Sequence, residues 1–191
     1  MACYEPDLER LQLAHNMLAF DPIGGVRELE SLSALGSTLA PLYLGWACQN
    51  GSGTSQDDKL AKQWFAVALA RGDATSSYYL GHLHLKLAQY REASDAFEQG
   101  LELGYAPSIY CLAMNILEGK GREKNEDRAI QLLESSSDLG HVFARRSLAS
   151  AYLSGRFGGS KFVLGIWLLA DSIAKGVYLS IRNADSDRLR A

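Results

Sequence analysis

Ser172-Ile173-Ala174-Lys175 sets a serine and a lysine one helical turn apart, a spacing at which a lysine amine can activate a serine nucleophile for acyl transfer. The companion Ser-Asp-Asn and Lys-Thr-Gly motifs of that chemistry are both missing. His82 and His84 are two residues apart, which on a helix directs them to different faces, whereas helical metal pairs use i, i+3 or i, i+4. Gly119-Lys120-Gly121 carries glycines around a lysine without the spacing of a phosphate-cradling loop. Asn50-Gly51-Ser52 is a glycosylation sequon only on a secretory route. No Ser/His/Asp or Cys/His set assembles. The expectation is a chain with no catalytic residues, no metal and no cofactor.

The elements holding these residues are repeated. Gly36, Gly72, Gly104, Gly140 and Gly176 recur at intervals of 36, 32, 36 and 36 residues, a period that marks a solenoid. Each interval reads as helix, turn, helix. Ala40, Leu44 and Ala47-Cys48 recur at helical spacing, and Ala61, Trp64, Phe65 and Ala68 form one apolar face at i, i+3, i+4, i+7. A small residue follows the leucine column (Gly45, Gly81, Ala113, Ala149), where a paired helix can approach closely. Ser172 falls in another small-residue column, with Ala68, Gly100 and Ser136, so its bland reading is a helix contact. The closing glycine is where the chain must leave a helix, because a left-handed C′ conformation costs glycine nothing.

This pattern resembles the Sel-one-like repeat (SLR) family, relatives of the tetratricopeptide repeats. The matching residues are Ala40, Leu44-Gly45, Gly51-Ser52-Gly53, Ala61, Trp64-Phe65 and Gly72, and the resemblance runs over roughly 24–184. The second repeat departs from it: four residues shorter, it replaces the Gly-x-Gly loop with Lys86-Leu87-Ala88-Gln89-Tyr90. The aromatic after Leu-Gly is Cys48, His84 and Ile116, and only Tyr152 conforms. The resemblance implies an all-α fold, a right-handed α-α superhelix of about five helix-turn-helix units in a single domain, 1–191. Its units are a degenerate N-terminal repeat over 7–36, repeats over 37–72, 73–104, 105–140 and 141–176, and a polar capping helix over 177–191. It also implies a non-catalytic scaffold or adaptor that binds a peptide or helix in its concave groove, more often than not bacterial. Two alternatives stay open: a β-lactam-hydrolase-like enzyme, and a chaperone for a secreted protein.

Composition narrows the partner. The 191 residues are 47% hydrophobic and 21% charged with a net charge of −3, and a pI near 5.8 gives no bias toward nucleic acid. The longest apolar run, Phe162 to Ala170, is about nine residues, short of the roughly 20 that cross a bilayer; no membrane insertion is expected. The N-terminus Met1-Ala2-Cys3-Tyr4-Glu5-Pro6-Asp7 lacks a basic stretch followed by an apolar one. Cys3, Cys48 and Cys111 show no paired spacing, so a cytoplasmic location is expected. A periplasmic or secreted one stays open if a leader was trimmed.

In tetratricopeptide-type geometry the first helices line the concave face. The resemblance then assigns the groove to Leu42 and Trp46, Tyr78 and His82, Tyr110 and Met114, and Arg146 and Ser150. Aromatic residues, Met and Arg are the types enriched at binding hot spots. A second apolar patch, Phe157, Phe162 and Trp167, would serve self-association.

Overall fold

The computed structural model describes residues 5–155 and 159–188, with side chains described through Asp171 and at Ile173 and Ala174. Ten helices follow one another with no strand among the described residues. They are α1 (Leu8–Met17), α2 (Pro22–Ala34), α3 (Ala40–Asn50), α4 (Asp58–Ala70), α5 (Ala74–Lys86), α6 (Tyr90–Glu102), α7 (Ala106–Glu118), α8 (Glu126–Asp138), α9 (Val142–Leu153) and α10 (Gly159–Arg188). Among the described residues, no helix is long and apolar enough to cross a membrane.

Local sequence sets where these helices start and stop. Asp7, Asp21, Asp57, Asp73 and Asn125 each accept a backbone N–H of the first turn through a side-chain oxygen, satisfying donors that have no partner inside the helix. Pro22, Pro41 and Pro107 sit in first turns, where no N–H is needed. Gly36, Gly72, Gly104 and Gly140 close helices at φ of 94°, 94°, 70° and 89°. Gly176 instead stands inside α10, which continues to Arg188, so the helix end and the separate capping helix expected there are corrected. The other closing glycines are followed by residues that open a new helix: Ser37, Asp73, Pro107 and His141. Val177-Tyr178-Leu179 offers neither cap nor proline, and the helix continues.

Consecutive helices pair into hairpins, α1/α2, α3/α4, α5/α6, α7/α8 and α9/α10, and the second helix of each packs on the first helix of the next. This nearest-neighbour stacking is the solenoid architecture. The first helices α5 and α7 also touch directly, which brings the first helices onto a shared face.

A matched pair of side chains sets the spacing inside each hairpin. A Cβ placed on Gly45 would fall 2.4 Å from the Phe65 ring, and one on Gly81 would fall 2.2 Å from the Phe97 ring. Phe65 and Phe97 are fully buried. The α7/α8 hairpin has Ala113 and Leu133 in these positions, together in one core cluster; the added methyl is matched by a smaller partner. Between hairpins, the Ser77 and Ser108 hydroxyls meet at 2.6 Å in the interior, beside Gly100, whose absent Cβ leaves room for both. The Gly-x-Gly loops lean back on the preceding hairpin: a Cβ on Gly53 would lie 2.1 Å from the Pro22 carbonyl oxygen, and one on Gly121 would lie 1.9 Å from that of Tyr90. In the α5/α6 hairpin, which lacks the loop, Ala88 makes the turn at φ 55°. Buried Tyr152 donates to Glu134, and Lys161 donates to Glu134 at 2.8 Å and to the Tyr152 hydroxyl at 2.9 Å, tying α8, α9 and α10 together.

The size match makes a prediction. Gly81→Ala is expected to destabilise the fold by about 1–3 kcal/mol through overpacking against Phe97. Adding Phe97→Leu, which recreates the pair of the α7/α8 hairpin, should recover part of that loss. Chemical denaturation of the single and double variants measures the coupling.

Candidate functional site

The first helices present aromatic side chains across the array. Trp46 on α3 is half-buried, 5.5 Å from the Tyr43 ring and 5.3 Å edge-on to Tyr79 of α5. Tyr43 in turn stacks on His15 of α1 at 4.3 Å. Tyr78 meets Tyr79 at 5.4 Å and His82 at 4.3 Å. Further along, Tyr110 of α7 lies 4.9 Å from His141 and 6.4 Å from Phe143 at the start of α9. A recess of about 480 Å³ joins the two groups, with Tyr78, His82, Tyr110 and Phe143 in its wall. Phe143 is 60% exposed, more than a ring serving only as a spacer between repeats would be.

Six of the eight residues assigned to the groove open onto this surface. Tyr78, His82 and Tyr110 line the central recess; Met114 and Ser150 line the next one, between α7 and α9; Arg146 borders a shallower one beside Tyr110 and Phe143. Trp46 continues the run through Tyr79. Leu42 is a correction. It is 4% exposed and packs in the core with Cys48, Ala61 and Phe65. Tyr78, Tyr110 and Arg146 occupy the same repeat position with a polar end that keeps them at the surface; leucine has none and turns inward.

Several lining residues lay outside that assignment: Tyr43, Tyr79 and Cys111 in one repeat column, and Tyr105 and His141 in another. Both columns repeat at the 36- or 32-residue interval, which was the signal available for them. Of the second patch, Phe162 and Trp167 are exposed on α10, at 40% and 60%; Phe157 lies outside the described residues. The Ser172 and Lys175 side chains do as well. His84 is half-buried with its Nδ1 2.8 Å from Gln89 Oε1, as expected of a packed histidine. Among the described residues no cluster of three or more His, Cys, Asp or Glu could hold a metal ion.

The surface is electrostatically quiet. Burial raises the Tyr78 and Tyr79 hydroxyls above their ordinary range; for Tyr79 the Trp46 indole N–H acts in the opposite direction. Burial pushes the Cys111 thiol up to about 12, and its Sγ lies 3.6 Å from His82 Nε2, so a protonated thiol faces a neutral imidazole. Burial lowers both His82 and His141 below the usual 6.5; the His82 ring lies 4.3 Å from that of Tyr78 and 5.8 Å, in a T-shaped contact, from that of Phe97. His141 Nδ1 accepts the Ala144 N–H at 3.2 Å and caps α9 as a neutral ring. Arg146 is exposed and pairs with none of the described residues, whereas its neighbour Arg145 is held by Asp171 at 2.5 Å.

Two stretches of this array, 40–73 and 106–141, match the Sel1 repeat. They are the α3/α4 and α7/α8 hairpins, the two with a complete Gly-x-Gly loop. The chain carries two Sel1 repeats within an all-helical array of like hairpins. It is 25% identical over 114 residues to a sel1-like repeat-containing protein of Acanthamoeba polyphaga mimivirus, a stretch spanning 60% of this chain and 21% of the viral one. A Sel1 repeat protein from Oxalobacter formigenes shares the fold at a TM-score of 0.75 and 20% identity, over 87% of this chain and 72% of that one. A protective antigen of uropathogenic Escherichia coli strains, which displays an SLR fold, gives a TM-score of 0.75 and 22% identity, over 87% of this chain and 38% of the other. The chain thus spans well under half the length of two of these three proteins. Sel1-repeat proteins are generally protein-interaction scaffolds, and the fold is typically non-catalytic.

The two histidines generate a pH prediction. Their folded pKa values lie below 6.5, so between the folded and unfolded values the unfolded chain binds more protons. Their contribution is complete above pH 6.5 and is lost as the pH falls through the lower, folded values. Thermal melts of the wild type should therefore fall from about pH 6.5 toward pH 5. The double variant His82→Gln/His141→Asn, which keeps an acceptor at the α9 cap, should show a flatter profile.

Proposed function

We propose that this chain is a non-catalytic adaptor that docks an extended peptide segment of a protein partner across its first helices, from Trp46 to Arg146. The observation supporting this reading is the pair of aromatic groups joined by the central recess, Tyr79, Tyr78 and His82 on one side, continued by Trp46, and Tyr110, His141 and Phe143 on the other. Large, stiff rings give contact area at little cost in side-chain entropy. The run crosses about three hairpin steps of ~10 Å, a span of ~30 Å that about nine extended residues would cover. Tyrosine hydroxyls and histidine ring nitrogens along this path can meet the polar backbone of such a segment. Arg146 at one end supplies a cation for a carboxylate.

Panning a library of nine-residue peptides against the purified protein tests the reading. The wild type should enrich a shared pattern, and Tyr110→Ala/Phe143→Ala should lose it by at least ~10-fold in affinity while keeping the helical circular dichroism of the wild type. Selection of the same peptides by both proteins, or of none by either, removes the trough from consideration. The enzyme alternative has its own test. Incubated with a chromogenic β-lactam, the protein should show no turnover above background, and Ser172→Ala should behave identically.

A further inference from the structure

We propose that α10 is a self-association element, and that its uncovered face pairs antiparallel with α10 of a second copy to form a closed, two-fold dimer. The inference is independent of the aromatic trough. The array supplies its own reference, because α4, α6 and α8 are the second helices of the preceding hairpins and can be compared with α10 column by column.

On two outward columns those helices are polar throughout. The position of Val163 holds Lys59, Arg91 and Asp127, and that of Trp167 holds Gln63, Asp95 and Gln131, all exposed. The position of Ala170 holds Ala66, Glu98 and Glu134, and that of Ala174 holds Ala70, Glu102 and Asp138, so α4 already carries exposed alanines there. In α10 all four columns are apolar while remaining at the surface: Val163 is 65% and Trp167 60% exposed, and both alanines are exposed. Next to them lies the face that the following hairpin covers elsewhere. Leu169 corresponds to Phe65, Phe97 and Leu133, which are buried, yet it is 40% exposed, and Ile166 and Ile173 are 51% and 58% exposed. The two faces merge into one apolar arc on the side of α10 away from α9.

A further hairpin would cover Ile166, Leu169 and Ile173 but leave Val163 and Trp167 in water, where the inner hairpins place lysine and glutamine. The outward substitutions therefore call for a partner that lies on the back of the helix. The arc exposes on the order of 700 Å² of side chain, close to the ~800 Å² per partner of a stable interface. Its own pattern selects a second copy. An antiparallel pair with its two-fold axis between Leu168 and Leu169 sets Trp167 of each copy over Ala170 of the other, and Val163 over Ala174. The two large side chains of the outward columns then each meet an alanine. A parallel pair would stack Trp167 on Trp167. An isologous contact of this kind closes at two copies.

The test is molar mass by light scattering from 1 to 200 µM, with the wild type, Trp167→Glu and Ala170→Glu. The wild type should move to twice the chain mass, and either substitution should raise the dimer dissociation constant at least ~100-fold while leaving the circular dichroism and melting temperature of a dilute sample unchanged, since both side chains are exposed. Register is read by oxidative cross-linking. Val163→Cys mixed with Ala174→Cys should link, and neither should link to itself. A wild type that stays monomeric throughout, one that grows beyond two copies, a dimer indifferent to Trp167→Glu, or self-linking of Val163→Cys would each overturn the proposal.

Discussion

The distance between the two helices of a hairpin is the constraint on which the other dimensions of this protein rest. It is set where a residue with little or no side chain on the first helix receives a ring or a branched chain from the second. Gly45 receives Phe65, Gly81 receives Phe97, and Ala113 sits with Leu133. The buried partner fills the space that the missing atoms leave, so close approach and full burial are the same event. Once that spacing is fixed, the neighbouring columns fall into place. Ala61, Ala93 and Ala129 are all fully buried, and small residues such as Gly100 and Ser136 let the next hairpin dock. The surface follows from the interior. Residues one turn away from the contact are left on the open side of the first helices, and the aromatic trough is built from them.

Much of this was legible in the amino-acid order because the signals recur in register. One glycine means little; four at intervals of 36, 32 and 36 residues give the helix-pair unit and its length. The fifth shows the limit of that reasoning. Gly176 occupies the right position, but a helix ends only when the following residues favour a new start, and Val177 onward does not. The surface was harder to read. A column says which residues share a side of a helix; whether they stay in water depends on the individual side chain. Leu42 therefore went into the core while Tyr78, Tyr110 and Arg146 stayed out. Rings contributed by helix starts, such as His141 and Phe143, depend on how one hairpin sits against the next, which no single unit encodes.

Polar ties across the hairpins reinforce the stacking without carrying it. Arg122, in the loop before α8, reaches Glu98 at 2.8 Å and Asp95 at 2.5 Å on α6. These groups are largely at the surface, where such pairs contribute ~0–1 kcal/mol. Lys161 with Glu134 and the buried Tyr152 fixes the start of α10 against the preceding elements. That anchorage leaves one side of α10 packed on α9 and the opposite side in solvent.

The missing loop of the α5/α6 hairpin has one more effect. Where the α3/α4 and α7/α8 hairpins place Gly-x-Gly, the chain turns at Ala88 directly into Tyr90, and a hollow of about 340 Å³ bordered by His82, Tyr90 and Tyr110 lies beside that turn. An array of identical units would offer the same cradle at every step, and a bound strand could slip from one to the next. This irregularity breaks that translational degeneracy and gives anything lying along the array a single phase.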